Sequence, residues 1–481
     1  MRKTLLIGAC AFALGVGTTT YVFQSARAAQ PRPETYKMLE LFGDVLKRID
    51  DQYVTPVDDK KLVQAGIDGM LTSLDPHSNY LDAEAFNNMM DQTRGEYGGL
   101  GIEITSEDGV VKIISPMDDT PASKAGLQAG DYITAIDGQS VVGLVLNDAV
   151  KQMRGKVGET ITLSIARENH DPFDVKLTRE VINVKSVKSH REGDYGYIRI
   201  SSFDEKTGAE TEAAIKDLQA KSKIKGLVLD LRNNPGGLLD QAIAVSDVFL
   251  NGGEVVSQRG RDPLDPKQVT RYNAKPGGDM LHGLPVVVLI NSGSASAAEI
   301  VAGALQDRHR AELVGTTSFG KGSVQTLIPL NNGLDGALKL TTARYYTPSG
   351  RSIQRTGITP DLEVAKTREE AQLIANHTFQ FSEASYRNAL NADEGKTRAQ
   401  PHEPAEEPPK EFDEKTGDFQ LNRALDVLKN GGVANTPKLA TPAPKLASVL
   451  DRKVPGKPPV VTPKADPADA PAAKKTPAPA H

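Results

Sequence analysis

The chain has 481 residues, too many for one hydrophobic core, so about two to four folded units are expected. Its 38% hydrophobic and 25% charged residues are ordinary for a soluble globular protein. With 57 Lys and Arg against 62 Asp and Glu, nothing in the charge balance points to a nucleic-acid partner. The one cysteine, Cys10, lies in an N-terminal apolar run. Without that run the chain holds no cysteine, which excludes a disulfide framework, a thiolate nucleophile and a Cys-ligated metal.

Residues 1–28 have the pattern of an export signal or N-terminal anchor. Arg2 and Lys3 precede an apolar stretch from Leu5 to Gly17, and Ala26-Arg27-Ala28 is a small-x-small cleavage site ahead of Ala29. Retention as an uncleaved anchor is the rival reading, because Thr4 to Phe23 approaches the minimum length of a span. Either way the body of the protein is expected outside the cytoplasm. Cys10, in LIGAC, follows an apolar run that is short for a lipidation site.

A small helical region is expected over 30–95. Leu39, Phe42, Leu46, Ile49 and Tyr53 form one helical stripe, and Leu62, Ile67, Met70, Leu71 and Leu74 a second, which Pro76 ends. The stripes read as packing faces, and the LDPHSNYL that closes the region shows no chemistry.

From 96 to 180 the period changes. GGLGIEI (98–104), VKIISP (111–116) and ETITLSIARE (159–168) read as strands, with a helix near 147–154. Short strands and two short helices suggest a partly open β-barrel. The glycines of Gly98-Gly99-Leu100-Gly101-Ile102 permit a turn whose successive N–H groups cradle a carboxylate, although a plain hairpin would use the same residues.

Over 181–365, GLVLDL (226–231) and PVVVLI (285–290) are continuous apolar runs of the kind buried on both faces, each followed by a helical pattern. Alternating strands and helices argue for an α/β layer. Residues 366–430 carry weaker helical patterns, and the Pro-, Ala- and Lys-rich stretch 431–481 has too little apolar surface to offset chain entropy, so it is expected to be disordered.

Three segments of the α/β unit are candidates for chemistry. NSGSASAAE (291–299) puts Ser296 where a helix opens, beside free N–H groups; Ser296 and Glu299 also have the spacing of a capping box. FGKGSVQTLIPL (319–330) carries Lys321 between Gly320 and Gly322, and in extended backbone Lys321, Ser323 and Gln325 share a face. A lysine acts as a base only when desolvation lowers its pKa, and a Gln carbonyl can orient the amine without adding charge. LDLRNNPGG (229–237) lets Gly236 and Gly237 approach a ligand closely.

Two resemblances follow from these residues. Gly98–Ile102, AGLQAGD and AIDG, in that order, resemble a PDZ domain. GSASxxE at 293–299, GKGxVQ at 320–325, LRNNPGG and ARYYTPSGRSIQ (343–354) resemble the carboxy-terminal processing, or tail-specific, serine proteases. The likeness covers about 35–380, with Ala298 the one small departure, where many relatives have Ser.

The fold class implied is multidomain α+β. It comprises the helical N-terminal region, a PDZ domain, a crotonase- or ClpP-like α/β protease core, a helical C-terminal region and the disordered tail. The activity implied is a serine endopeptidase with a Ser296–Lys321 dyad supported by Gln325. Ala297 and Gly237 would supply oxyanion N–H groups, and Gly98, Gly99, Leu100, Gly101 and Ile102 would hold the substrate's C-terminus. Arg154 matches a position that contacts the catalytic Gln in such relatives.

The resemblance also implies partners: protein substrates with apolar C-termini, an adaptor lipoprotein and further copies of the chain; an uncleaved N-terminal segment would add peripheral contact with the inner membrane. Neither metal nor cofactor is expected. The rivals are an inert PDZ-bearing adaptor, disfavoured by the complete Ser, Lys and Gln set, and an acyl-CoA enzyme, disfavoured by the export signal.

Overall fold

The computed structural model describes residues 33–441, apart from 108, 118, 145, 168, 169, 184, 263, 376–381, 393–404 and 440. The expected export signal, and the expected disordered tail beyond 441, lie outside the described residues.

The N-terminal part consists of α1 (Pro33–Gln52), α2 (Asp59–Thr72), β1 (Asn79–Leu81) and α3 (Ala83–Thr93). Asp58 and Asp82 cap α2 and α3 through their side chains, each satisfying a first-turn N–H. The expected packing stripe of α1 is a correction. Leu39, Phe42 and Tyr53 are 62%, 46% and 61% exposed, Leu46 and Ile49 are half-buried, and the Phe42 ring lies beside Gly66 of α2. Two helices cannot cover both of their apolar faces without a third surface.

The next unit is antiparallel. Strands β3 (Ile102–Glu107), β4 (Val110–Pro116), β5 (Tyr132–Ile136), β7 (Thr160–Ala166) and β8 (Phe173–Thr178) follow one another across the sheet, with β6 (Gln139–Ser140) on β5. Helices α4 (Pro121–Lys124) and α5 (Leu146–Met153) complete it. Ile113, Ile133, Leu163 and Ile165 are fully buried at its centre, about 1.5–3 kcal/mol of burial each. Strand β2 (Glu96–Gly99) pairs with β9 (Glu180–Asn183) and ties the unit's two ends together.

The α/β unit is built on a six-stranded sheet. Its order is β10 (Val187–Glu192), β11 (Tyr195–Ile200), β12 (Leu227–Asp230), β15 (Val286–Ile290), β16 (Glu312–Gly315) and β19 (Leu362–Glu363). All pairs are parallel except β10–β11. Helices α6 (Thr207–Lys221), α7 (Leu239–Asp247) and α8 (Ala297–Asp307) supply side chains to one core, with Leu227, Leu229, Val286, Val288 and Ile290. Val228, Val287 and Leu289 face the other way, onto Phe419, Val427 and Leu428 of α10 (Phe419–Asn430). The continuous apolar runs are thus strands covered on both faces.

A second, antiparallel sheet contains β1, β18 (Ala337–Tyr346), β13 (Gly253–Arg259) and β14 (Val269–Ala274), with β17 (Ser323–Pro329) also on β18. Of the weak C-terminal patterns, α9 (Arg368–Ala375) and α10 are helical. The chain is therefore a mixed α+β protein of several units.

Candidate active site

Strands β12 and β15 are parallel neighbours, with Asp230 opposite Leu289, so the loops leaving their carboxyl ends lie side by side. This is the edge of an α/β sheet where ligands bind. The two loops are knitted together. Asn233 N–H donates to Asn291 Oδ1 and Asn291 Nδ2 returns a bond to Asn233 Oδ1, both 2.9 Å. Ser294 Oγ donates to the Leu231 carbonyl at 2.8 Å, and Ala295 N–H to that of Asn234 at 2.9 Å.

Ser296 is the residue before α8 and has φ +53°, ψ −113°. Such backbone costs about 1–3 kcal/mol in a residue with a Cβ and persists only where its surroundings enforce it. Glu299 supplies that enforcement. Its carboxylate, fully buried, accepts Ser296 N–H (2.8 Å) and Lys321 N–H (2.9 Å) on Oε2. On Oε1 it accepts Gly320 N–H (2.7 Å) and Ser318 Oγ (2.5 Å). The capping partner legible in the sequence thus also pins the lysine segment to the serine. Burial pushes its pKa up to about 7, against the four donors, which act to lower it.

The first N–H of α8, on Ala297, has no partner within the helix. Gly236 packs so tightly here that a Cβ on it would lie 2.8 Å from that of Ser296. Gly236 N–H is taken by Asn234 Oδ1 at 2.8 Å. The bridge between Phe203 and Gly237 uses the Gly236 carbonyl and the Leu238 N–H, not the N–H of Gly237.

Ser296, Lys321, Ser323, Gln325, Gly236 and Gly237 line one cavity of about 1090 Å³, whose walls include Met89, Met90, Ile243, Tyr272 and Leu327. Lys321 precedes β17 rather than lying in it. Burial lowers its pKa to about 8, helped by the cation of Lys339 and opposed by Glu383, Glu299 and Asp75. Gln325 follows a bulge in the β17–β18 register. Its amide nitrogen donates to Ser323 Oγ (2.9 Å) and Thr341 Oγ1 (3.2 Å).

The segment after α2, which showed no chemistry in the sequence, stands behind this site. Asp75 reaches Thr341, and His77 Nε2 lies 2.8 Å from Oε2 of the buried Glu383. Gln354 Nε2 donates to Glu383 Oε1 at 3.0 Å, while its Oε1 accepts Gly322 N–H at 3.0 Å. The only local signal was a polar Asp-Pro-His-Ser run closing an apolar helix.

In the antiparallel unit, Gly98 and Gly99 belong to β2, and Gly101 has φ +73° with Thr120 so near that a Cβ would meet it at 2.3 Å. Leu100 is buried, and Ile102 opens β3, an edge strand. The Arg154 guanidinium sits 4.7 Å over the Tyr97 ring and does not line the cavity that holds Gln325.

The family model of peptidase family S41 matches residues 194–364, that of the PDZ domain residues 89–166, and that of the activating protease CtpB N-terminal domain residues 17–85. A carboxy-terminal-processing protease of Bartonella bacilliformis is 51% identical over 437 residues, 89% of this chain and 96% of that one. A Staphylococcus epidermidis protein named for its likeness to the CtpA serine protease is 37% identical over 330 residues, 68% of this chain and 65% of its own. The solved photosystem II D1 C-terminal processing protease is 29% identical with a TM-score of 0.41, over 68% of this chain and 92% of that one.

The chain belongs to the carboxy-terminal-processing proteases of peptidase family S41, serine-type peptidases that carry a PDZ domain.

Proposed function

We propose that this chain is an exported, periplasmic endopeptidase that cuts proteins near apolar C-termini with a Ser296–Lys321 dyad. The observation that carries the proposal is the shared cavity, where Lys321 is desolvated enough to hold its pKa near 8. Neutral Lys321 takes the proton of Ser296 as Oγ attacks the peptide carbonyl. The Ala297 and Gly237 N–H groups hold the oxyanion. Lys321 then protonates the leaving amine, and in the second half it deprotonates the water that hydrolyses the acyl-enzyme. Gln325 orients the amine.

Residues 96–180 act as the receptor in this proposal. The loop Gly98–Ile102 receives the substrate's terminal carboxylate, and the edge of β3 takes its tail by strand addition. The apolar wall of the cavity suits an apolar residue at the cut. An activating contact of Arg154 with Gln325 requires the guanidinium to leave Tyr97. The remaining boundaries proposed are a helical region over 30–95, a protease core over 181–365 and a helical C-terminal region over 366–430. An N-terminal export segment delivers the enzyme to the periplasm, free if the segment is removed and anchored to the inner membrane if it is kept. Self-association and an adaptor lipoprotein complete the proposal.

The test is cleavage of an unfolded protein with an apolar C-terminus by the wild type, S296A and K321A. Both variants should lose about a thousand-fold or more. Equal cleavage by all three would contradict the dyad. Because the base must be neutral, the rate should rise with pH through about 8. A profile still climbing above about pH 10 would place Lys321 in water.

A further inference from the structure

A chain of hydrogen bonds behind the lysine strand has a direction that chemistry dictates. Asp75, 3% exposed, accepts from four donors. These are His77 N–H (2.8 Å), Ser78 N–H (2.9 Å), Ser78 Oγ (2.7 Å) and Thr341 Oγ1 (3.1 Å). A hydroxyl has one proton, so Thr341, having given it to Asp75, offers only lone pairs to Gln325 Nε2. Ser78 behaves alike, donating to Asp75 and accepting Thr341 N–H at 3.1 Å. An amide has two N–H donors and one acceptor. Both donors of Gln325 are engaged, by Ser323 and Thr341, and its carbonyl oxygen is the end that remains for the cavity it shares with Lys321.

We propose that Asp75 is a positioning residue: by fixing the polarity of the series from Gln325 through Thr341 to Asp75, it keeps the Gln325 amide turned carbonyl-first toward the base. The proposal rests on the reading of Lys321 as that base. An amide turned the other way would present N–H groups to an amine that must carry a proton in mid-reaction. The segment between α2 and β1 thereby acts through Thr341, 266 residues from Asp75 in sequence. It is anchored on its other side through His77 and Glu383.

The test uses the full chain and compares the wild type, D75A, T341V, T341S and K321A, with kcat, KM and the pH profile of kcat measured separately. Asn at 75 would keep its oxygen on the His77 and Ser78 N–H groups and go on accepting from Thr341, whereas Ala removes the acceptor, so that the Thr341 proton turns to Gln325 and lets the amide reverse. D75A should lower kcat about ten-fold or more at nearly unchanged KM. Its acid limb should move to lower pH, since an acceptor and an anion near the ammonium are both gone. T341V should lose kcat similarly, and T341S should keep it.

A wild-type kcat and acid limb in D75A, with K321A inactive, overturns the proposal and leaves the dyad standing. Full activity in K321A overturns the dyad and the proposal together. Should D75A fail to fold, equal kcat in T341V and T341S overturns it.

Discussion

Glu299 shows how much one buried side chain can hold. Its two oxygens each take two donors, and they join the nucleophile's backbone to the base's. A glutamine has one acceptor oxygen, so in E299Q an amide NH₂ must face one of the two donor pairs. With NH₂ toward Ser318 and Gly320, the serine hydroxyl can turn to accept, but Gly320 N–H is orphaned. E299Q should therefore cost about 1–3 kcal/mol of stability, read by denaturant unfolding. The pKa of Glu299 is raised, to about 7 from 4.5, so the folded chain binds a proton that the unfolded chain releases. That contribution is complete below about pH 4.5 and is lost as pH rises through about 7. Thermal unfolding from pH 5 to 7.5 should show a decline in the wild type that E299Q lacks.

Ser296, Lys321 and Gln325 were legible because each sits in a short motif with turn residues at fixed offsets. Asp75, Thr341, Glu383 and Gln354 were not. Their bonds join segments as far as 306 residues apart and leave no local pattern.

At the scale of elements, the parallel sheet was readable and the antiparallel sheet around β18 was not. Val286–Ile290 has five buried residues in a row, and such a run declares a strand covered on both sides. Strands β13, β14, β17 and β18 mix exposures, and two of their pairings are broken by bulges. Lys321 was expected in extended register with Ser323, yet the strand starts at Ser323. Gly320 (φ +95°) turns the chain before it, and Gly322 lies against the Gln354 backbone.

Helix α10 is fastened to the loop after β12 by an ion pair. Arg232 binds Asp230 and Asp418 through its two terminal nitrogens and Nε, and Asp418 is also the helix cap. Arg232→Ala would leave the fully buried Asp230 without its main counter-charge. It should cost about 3–5 kcal/mol and weaken the packing of α10, seen as faster amide exchange over 419–430.

At the scale of the whole molecule, the PDZ unit is tied to the protease core beside the site. Lys206 Nζ reaches Glu96 Oε1 and Asn183 Oδ1, both 2.6 Å, at the base of the PDZ unit. Three residues earlier, Phe203 bridges to Gly237. The junction therefore touches both the receptor and the loop that would hold the oxyanion. Full-length S296A should bind a fluorescent peptide with an apolar, free C-terminus about ten-fold or more tightly than its C-terminal amide, because the proposed role of Gly98–Ile102 is to donate N–H groups to a carboxylate. G101V should abolish the difference, since a Cβ there would lie 2.3 Å from Thr120.

The most direct test of the dyad is the mass of the enzyme after brief mixing with an activated acyl peptide, followed by mapping of the adduct. The wild type should carry the acyl group on Ser296, at a rate that rises with pH through about 8, and K321A should stay unmodified. An adduct on another residue, or K321A acylating as fast as the wild type, would contradict it.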